Sequence, residues 1–121
     1  MKRVRKIVHY QNKWLGNGIV IVVMDTGVSS HPDLKGRILL FRDFVNGRYD
    51  MYDDNGHGTH VCGVISGRRI GMAPESKLIV LKVLDEEGNG RIERNKSFIL
   101  FFLIALKMPR IVEIIARIKT I

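Results

Sequence analysis

Two continuous apolar runs constrain what this sequence can fold into more than any other feature. Residues 18–24 read GIVIVVM and residues 78–84 read LIVLKVL, and both runs are rich in β-branched side chains. Strands that are buried on both faces of a parallel sheet have this continuous pattern. Between them, residues 57–66 are mostly small and apolar and are bounded by two glycines, which predicts a short helix. Strand, helix and strand predict an α/β unit, with a further short strand near residues 38–44.

The length and composition of the chain fit a single domain. A globule of 121 residues has room for one modest core. With 45% hydrophobic and 26% charged residues, the chain has the composition of a soluble globular protein, which disfavours wholesale disorder and a collagen-like fibre. Cys62 is the single cysteine, so an internal disulfide and a four-cysteine zinc site are excluded.

The net charge of +8 is placed unevenly along the chain. Residues 1–90 hold 13 Lys and Arg against 10 Asp and Glu, whereas residues 91–121 hold 7 against 2. Most of the excess positive charge therefore lies in the last quarter of the chain rather than along its whole length. We expect no nucleic-acid partner.

Neither a signal peptide nor a transmembrane helix is predicted. The basic residues at the N-terminus are not followed by the apolar stretch of a signal peptide. The unbroken apolar run at residues 98–106 is far shorter than the roughly 20 residues that a transmembrane helix needs. We therefore expect a cytoplasmic location.

Asp25 is the first candidate for chemistry. It lies at the carboxyl end of the first predicted strand, where open α/β sheets place their reactive groups. A strand-terminal aspartate that caps a turn would look the same. Asp25-Thr26-Gly27 is also the catalytic signature of aspartic proteases, so one half of a dimeric enzyme of that class is an alternative. That alternative makes no use of the more specific motif at residues 54–63, DNGHGTHVCG.

Both motifs belong to a longer series of six blocks. In chain order these are residues 23–28 (VMDTGV), 31–34 (HPDL), 56–61 (GHGTHV) with Gly63, 71–74 (GMAP), 81–84 (LKVL) and 88–90 (GNG). In this order and spacing, residues 16–93 resemble the N-terminal part of the catalytic domain of subtilisin-like serine proteases. The resemblance implies an α/β fold with a doubly wound parallel sheet, truncated here. It also implies a serine-type endopeptidase that cleaves peptides or proteins with an Asp, His and Ser triad.

The resemblance assigns roles to individual residues. Asp25 matches the acid that orients the imidazole, and His57 matches the general base and acid. His60 matches a second, non-catalytic histidine. Residues Gly88, Asn89 and Gly90 match the segment that pairs with the peptide substrate, although an ordinary turn after a strand would have the same composition.

The family's nucleophile has no counterpart in this sequence. It lies in a Gly-Thr-Ser-x-Ala motif, and none of the five serines has that context. The asparagine that donates to the oxyanion is also missing. We therefore expect this chain to be catalytically inactive alone. A non-catalytic protein that binds peptides or a membrane surface is the alternative.

No metal or other cofactor is predicted. Some relatives bind calcium, and Asp33 matches one position that supplies a ligand. The loop that completes that site is replaced by the short cationic link at residues 68–70. Cys62 is interpreted as a small buried residue, with a redox role as the alternative. A zinc site built from His57, His60 and Cys62 would lack the usual ligand pairs.

The last part of the chain departs from the family's pattern. We divide the sequence into an N-terminal extension at residues 1–15, the family segment at 16–93 and a tail at 94–121. The tail contains no glycine and no aspartate, which is typical of a shifted reading frame. Alternatively, Ile111, Ile114, Ile115 and Ile118 recur at helical spacing, which predicts a basic amphipathic helix, with residues 98–118 in weak contact with a membrane surface.

Overall fold

The fold was analysed in a computed structural model that describes residues 15–90 and the backbone of residues 111–115. One α-helix and four β-strands lie in these ranges. In chain order they are β1 (Val20–Asp25), β2 (Ile38–Asp43), α1 (His57–Ser66), β3 (Lys77–Lys82) and β4 (Ile111–Ile115), with a 3-10 turn at Pro32–Leu34 between β1 and β2.

The four strands form one parallel sheet in the order β2-β3-β1-β4. The central strands β1 and β3 are buried from their second residue onward, as their continuous apolar sequences predict. Asp25 and Lys82 are directly paired at the carboxyl ends of these two strands. The parallel α/β fold predicted from the sequence is therefore confirmed.

Apolar side chains pack on both faces of the sheet. Successive residues of a strand point to opposite faces, so each central strand contributes to two cores. The core beneath α1 contains Ile21, Val23, Val28, Leu34, Cys62, Leu78 and Val80. The core on the other face contains Val22, Met24, Ile79, Leu81, Val83 and Leu84. These two cores explain why the runs are continuous rather than alternating.

The amphipathic helix predicted from the isoleucine spacing is wrong for residues 111–115, which form strand β4. Residues Val20 to Met24 of β1 pair with this strand in parallel register. The segment IVEII is rich in β-branched residues, which favour strands, and pairing satisfies the second edge of β1. The rest of the predicted membrane-contact segment, and residues 1–14, lie outside the described residues.

Within residues 15–90 and 111–115, no helix has the length and apolar character that crossing a bilayer requires.

Candidate active site

The site begins with a contact between a buried carboxylate and an exposed imidazole. Asp25, the last residue of β1, is fully buried, and His57 is the first residue of α1. Both carboxylate oxygens of Asp25 lie 2.9 Å from His57 Nδ1. The His57 side chain is 58% exposed. The carboxylate thus fixes one nitrogen of the ring, and the residue as a whole stays open to solvent.

The first turn of α1 is docked directly on the turn that follows Asp25. The Gly58 N–H donates to Thr26 Oγ1 at 2.9 Å. A Cβ at position 58 would overlap the carbonyl oxygen of Gly27 and lie 2.9 Å from its nitrogen. Gly27 itself has φ +121°, which favours glycine. Small residues at positions 27 and 58 therefore allow the helix to start beside the strand end.

Asp53 anchors this helix start from the preceding loop. Its carboxylate accepts hydrogen bonds from the backbone N–H groups of Asn55, Gly56 and Thr59 and from the hydroxyls of Thr26 and Thr59. Burial raises the pKa of Asp53, but the hydrogen bonds from Thr59, Gly56 and Thr26 outweigh it and lower the pKa to about 2. The first residues of α1 thus receive the cap that Gly56, at the N-cap with φ +103°, has no side chain to give.

Lys82 lies beneath the site at the end of β3 and is fully buried. Its Nζ donates to the carbonyl of Thr26 at 2.6 Å, to Asp54 Oδ1 at 2.7 Å and to the carbonyl of Leu84 at 2.8 Å. An ammonium group has three protons, and all three have an acceptor here. The Tyr52 ring lies 5.2 Å from the same nitrogen.

A second buried carboxylate organises the loop after β2. Asp43 accepts hydrogen bonds from the N–H groups of Val45, Asn46 and Arg48 and from the Tyr52 hydroxyl. Burial and the hydrogen bond to Asp43 raise the pKa of Tyr52 to about 12.

Residues Gly88, Asn89 and Gly90 lie at the end of a turn that closes on Asp85. The Gly88 N–H donates to the Asp85 carbonyl, and the Asp85 N–H donates to the Asn89 carbonyl, both at 2.9 Å. Gly88 has φ +81°, and a Cβ there would meet open space. The turn is tied to the loop before α1 because Asn55 Nδ2 donates to the Glu86 carbonyl at 2.9 Å.

The other residues singled out in the sequence take no part in the hydrogen bonds between Asp25 and His57. Asp33 holds the turn that follows α1, where its Oδ1 accepts from the Arg69 N–H at 3.0 Å. His60 is exposed on the helix. Cys62 is buried, and burial together with the charges of Asp25 and Asp53 raises its thiol pKa to about 12. Within residues 15–90, no three His, Cys, Asp or Glu side chains are grouped as metal ligands.

Comparison with known proteins places this chain in a family. A model of the subtilase family matches residues 16–99. The chain belongs to the subtilase family. Among curated proteins, Serine protease AprX of Bacillus subtilis (strain 168) is 43% identical over 95 residues, which cover 73% of this subtilase chain and 22% of the relative. The Intracellular serine protease of Paenibacillus polymyxa is 40% identical over 92 residues, 68% of this chain and 28% of the relative.

The fold agrees with that assignment. The crystal structure of a cold adapted subtilisin-like serine proteinase superposes with a TM-score of 0.71 and 33% sequence identity. The match covers 83% of this subtilase chain and 37% of the other. The chain therefore spans between a fifth and two fifths of the length of each of these three proteins. The predicted family and its subtilisin-like fold are confirmed.

Sequence reasoning missed the residues that support the Asp25–His57 pair. Asp53, Asp54 and Asn55 have the composition of an ordinary turn, yet each side chain makes a different structural contact. One signal could have revealed Lys82: it is the only charged residue in the apolar run at 78–84. A lysine in a strand that is buried on both faces needs acceptors nearby, and the carboxyl end of β1 supplies one of them.

Proposed function

We propose that this subtilase chain supplies the acid and the base of a serine-type endopeptidase site, with Asp25 and His57 in those roles. The observation that carries the proposal is the contact of both Asp25 oxygens with His57 Nδ1, on an imidazole that is 58% exposed. The aspartic-protease alternative needs a second carboxylate beside Asp25. Within the described part of the chain that place is taken by the imidazole, so no observation favours the alternative.

The geometry of the pair sets the tautomer of the histidine. An imidazole with its Nδ1–H donated to the buried carboxylate carries its lone pair on Nε2. Nε2 takes the proton of an attacking hydroxyl and later returns it to the leaving amine. The Asp25 carboxylate stabilises the imidazolium that forms in between. Asp25 is itself held by the Thr26 N–H, which donates to its Oδ1 at 2.6 Å.

Peptide substrates are proposed to align along Gly88, Asn89 and Gly90. The Asn55–Glu86 hydrogen bond ties this turn to the loop that leads to His57. The open space beside Gly88 leaves room for a second backbone. Peptide binding without cleavage, the alternative from the sequence, would use the same segment.

The nucleophile is proposed to come from sequence outside these 121 residues. The serines within the described residues make no hydrogen bond to the His57 imidazole: Ser29, Ser30, Ser66 and Ser76. Ser66 and Ser76 are buried and bonded to each other. The chain alone is therefore expected to hydrolyse no fluorogenic peptide and to resist labelling by a fluorophosphonate, a probe for activated serines.

A chimera tests the roles of Asp25 and His57. Residues 16–93 of this chain replace the matched segment of Serine protease AprX, and hydrolysis of an unfolded protein is measured. We expect an active chimera that loses about ten-thousand-fold in kcat on Asp25→Asn and at least as much on His57→Ala. His60→Ala is the matched control, since that histidine is exposed on the same helix, and it should retain activity. Equal activity before and after His57→Ala would contradict the proposal.

The tail at residues 94–121 is proposed to be a product of a shifted reading frame. The loss of glycine and aspartate after residue 93 supports this, although the five residues of β4 within the tail join the sheet. Translating the DNA downstream of codon 93 in all three frames is the test. A Gly-Thr-Ser motif in another frame would support a frameshift, and its absence from all frames would contradict it.

A cytoplasmic location is also proposed. It is supported by the relative named Intracellular serine protease. Fractionation of the source cells, with detection of the chain in the membrane or secreted fraction, would overturn it.

A further inference from the structure

The buried ammonium of Lys82 is costly unless something compensates for it. Transfer of a charged group from water to a protein interior is unfavourable, and only good acceptors offset this penalty. Lys82 is the largest side chain among the fully buried residues of the described chain. Its three acceptors lie at 2.6, 2.7 and 2.8 Å, so every proton is used. An aliphatic residue could fill the same volume without this requirement, which calls for an explanation of the charge.

The three acceptors lie on the three segments that build the site. Thr26 follows Asp25 directly, and its N–H donates to the Asp25 carboxylate. Leu84 begins the segment that leads to Gly88, and its N–H donates to the Asp25 carbonyl at 3.2 Å. Asp54 lies in the loop that leads to His57. The Lys82 ammonium thus joins three segments: the turn after Asp25, the loop that leads to His57 and the start of the segment that is proposed to bind substrate.

Asp54 is linked to His57 through the residues on either side of it, Asp53 and Asn55. Asn55 Oδ1 accepts from the His57 N–H at 3.1 Å. Asp53 holds the first turn of α1 through the Thr59 N–H at 2.8 Å. A shift of Asp54 would therefore move both of the contacts that fix the backbone position of His57.

We propose that Lys82 is a positioning residue, whose ammonium group holds Asp25 and His57 at the separation that keeps the His57 proton on Nδ1. The inference rests on the proposed function of that pair and goes beyond it, because Lys82 acts through Thr26 and Asp54 rather than on the substrate. A purely stabilising lysine would support the fold without affecting the tautomer. The two roles differ in a spectroscopic signature.

The test uses the full 121-residue chain with ¹⁵N-labelled histidine side chains. NMR reports the His57 Nδ1–H resonance and the tautomer pattern of its two nitrogens, and backbone amide spectra report whether β1 and β3 are intact. Lys82→Met removes the charge and keeps an unbranched chain. Lys77→Met on the same strand is the matched control, because Lys77 Nζ donates to a single exposed carbonyl, that of Gly36.

The wild-type chain and Lys77→Met should show His57 protonated on Nδ1. Lys82→Met with intact strand amides should lose at least about half of that Nδ1–H signal to the other tautomer. Asp54→Asn carries the test if Lys82→Met does not fold, because it keeps the lysine and both carbonyl acceptors. It should show a smaller loss in the same direction.

Two results would overturn the proposal. If Lys82→Met folds and keeps the wild-type tautomer pattern, Lys82 supports only the fold. If Lys82→Met does not fold, the same pattern in a folded Asp54→Asn chain would show this. A wild-type chain without the Nδ1–H signal would instead remove the proposed Asp25–His57 function, and the role of Lys82 with it. The first result leaves the function standing, so the two failures are distinguishable.

Discussion

Gly58 and Gly27 are in backbone contact, so that no side chain separates the start of α1 from the turn after β1. This contact brings His57, which precedes Gly58, close to Asp25, which lies two positions before Gly27. His57 and Asp25 can thus meet because Gly58 and Gly27 have no side chains that would hold the two segments apart. The glycines of the two motifs are as important to the site as the residues with reactive groups.

Gly58→Ala should destabilise the chain by about 2 kcal/mol, because its Cβ would overlap the Gly27 carbonyl and force the helix away. Chemical denaturation measures the loss. Gly63→Ala in the same helix is the control: a Cβ there meets nothing within 4 Å, so better helix propensity should stabilise the chain by about 0.5–1 kcal/mol. Equal effects at the two positions would contradict the close contact at Gly58.

Asp53→Asn should destabilise the chain in a pH-dependent way. The native pKa of Asp53, about 2, lies below the ordinary value of 3.8, so its carboxylate stabilises the fold above about pH 4. That contribution should be lost as the pH falls from about 4 to 2. Because the group is partly exposed, we expect about 1 kcal/mol at neutral pH.

The measurement is the unfolding free energy of wild type and Asp53→Asn between pH 2 and pH 7. The difference should be constant at the neutral end and shrink toward pH 2. Glu75→Gln removes an exposed carboxylate and should produce no such trend. A difference that does not vary with pH would argue against the hydrogen-bonded carboxylate.

Tyr52→Phe should be less stable than the wild type at neutral pH. This difference should disappear at high pH. The native pKa of Tyr52 is raised to about 12, so the fold favours the neutral phenol. This contribution is complete below pH 10 and is lost as the pH rises through 12. At neutral pH the missing hydrogen bond to Asp43 should cost about 1 kcal/mol. Tyr49→Phe, at a side chain that is 97% exposed, should leave the stability curve unchanged.

Cys62 should be unreactive in the folded chain. With a thiol pKa of about 12, about one molecule in ten thousand carries the thiolate at pH 8. Ellman's reagent should therefore label the chain at least a hundredfold faster after unfolding in guanidinium chloride. Cys62→Ala should abolish labelling and cost about 1 kcal/mol in stability. Rapid labelling of the native chain would support the redox role instead.

Most of the framework could be predicted from the sequence because it depends on local patterns. The helix His57–Ser66 has the predicted bounds, since glycines end the apolar segment on both sides. The strands differ by one or two residues from the apolar runs, because pairing rather than hydropathy sets their ends. Residues 111–115 fit both a helical and a strand pattern. They form a strand because they pair with the free edge of β1, and no local sequence pattern reveals that edge.

The support of the site could not be predicted in this way. Asp53 and Lys82 act through partners that are distant in the chain: Thr26 precedes Asp53 by 27 positions and Lys82 by 56. Turn-forming residues such as Asp53, Asp54 and Asn55 have the same composition whether they face solvent or cap a helix. Their roles follow from the fold that brings β1, α1 and β3 to one edge.

The position of β1 in the sheet has a consequence for the order in which a ribosome delivers this fold. β1 is made before the other three strands, but its neighbours are β3 and β4, and Ile111 of β4 pairs with Val20 although the two residues are far apart in the chain. During synthesis the first strand waits with both edges open until much later residues emerge, and such long-range pairing is slow. A nascent chain would therefore carry an apolar strand with an unpaired edge until residues 111–115 have emerged, which makes it a natural client for a chaperone at the exit tunnel.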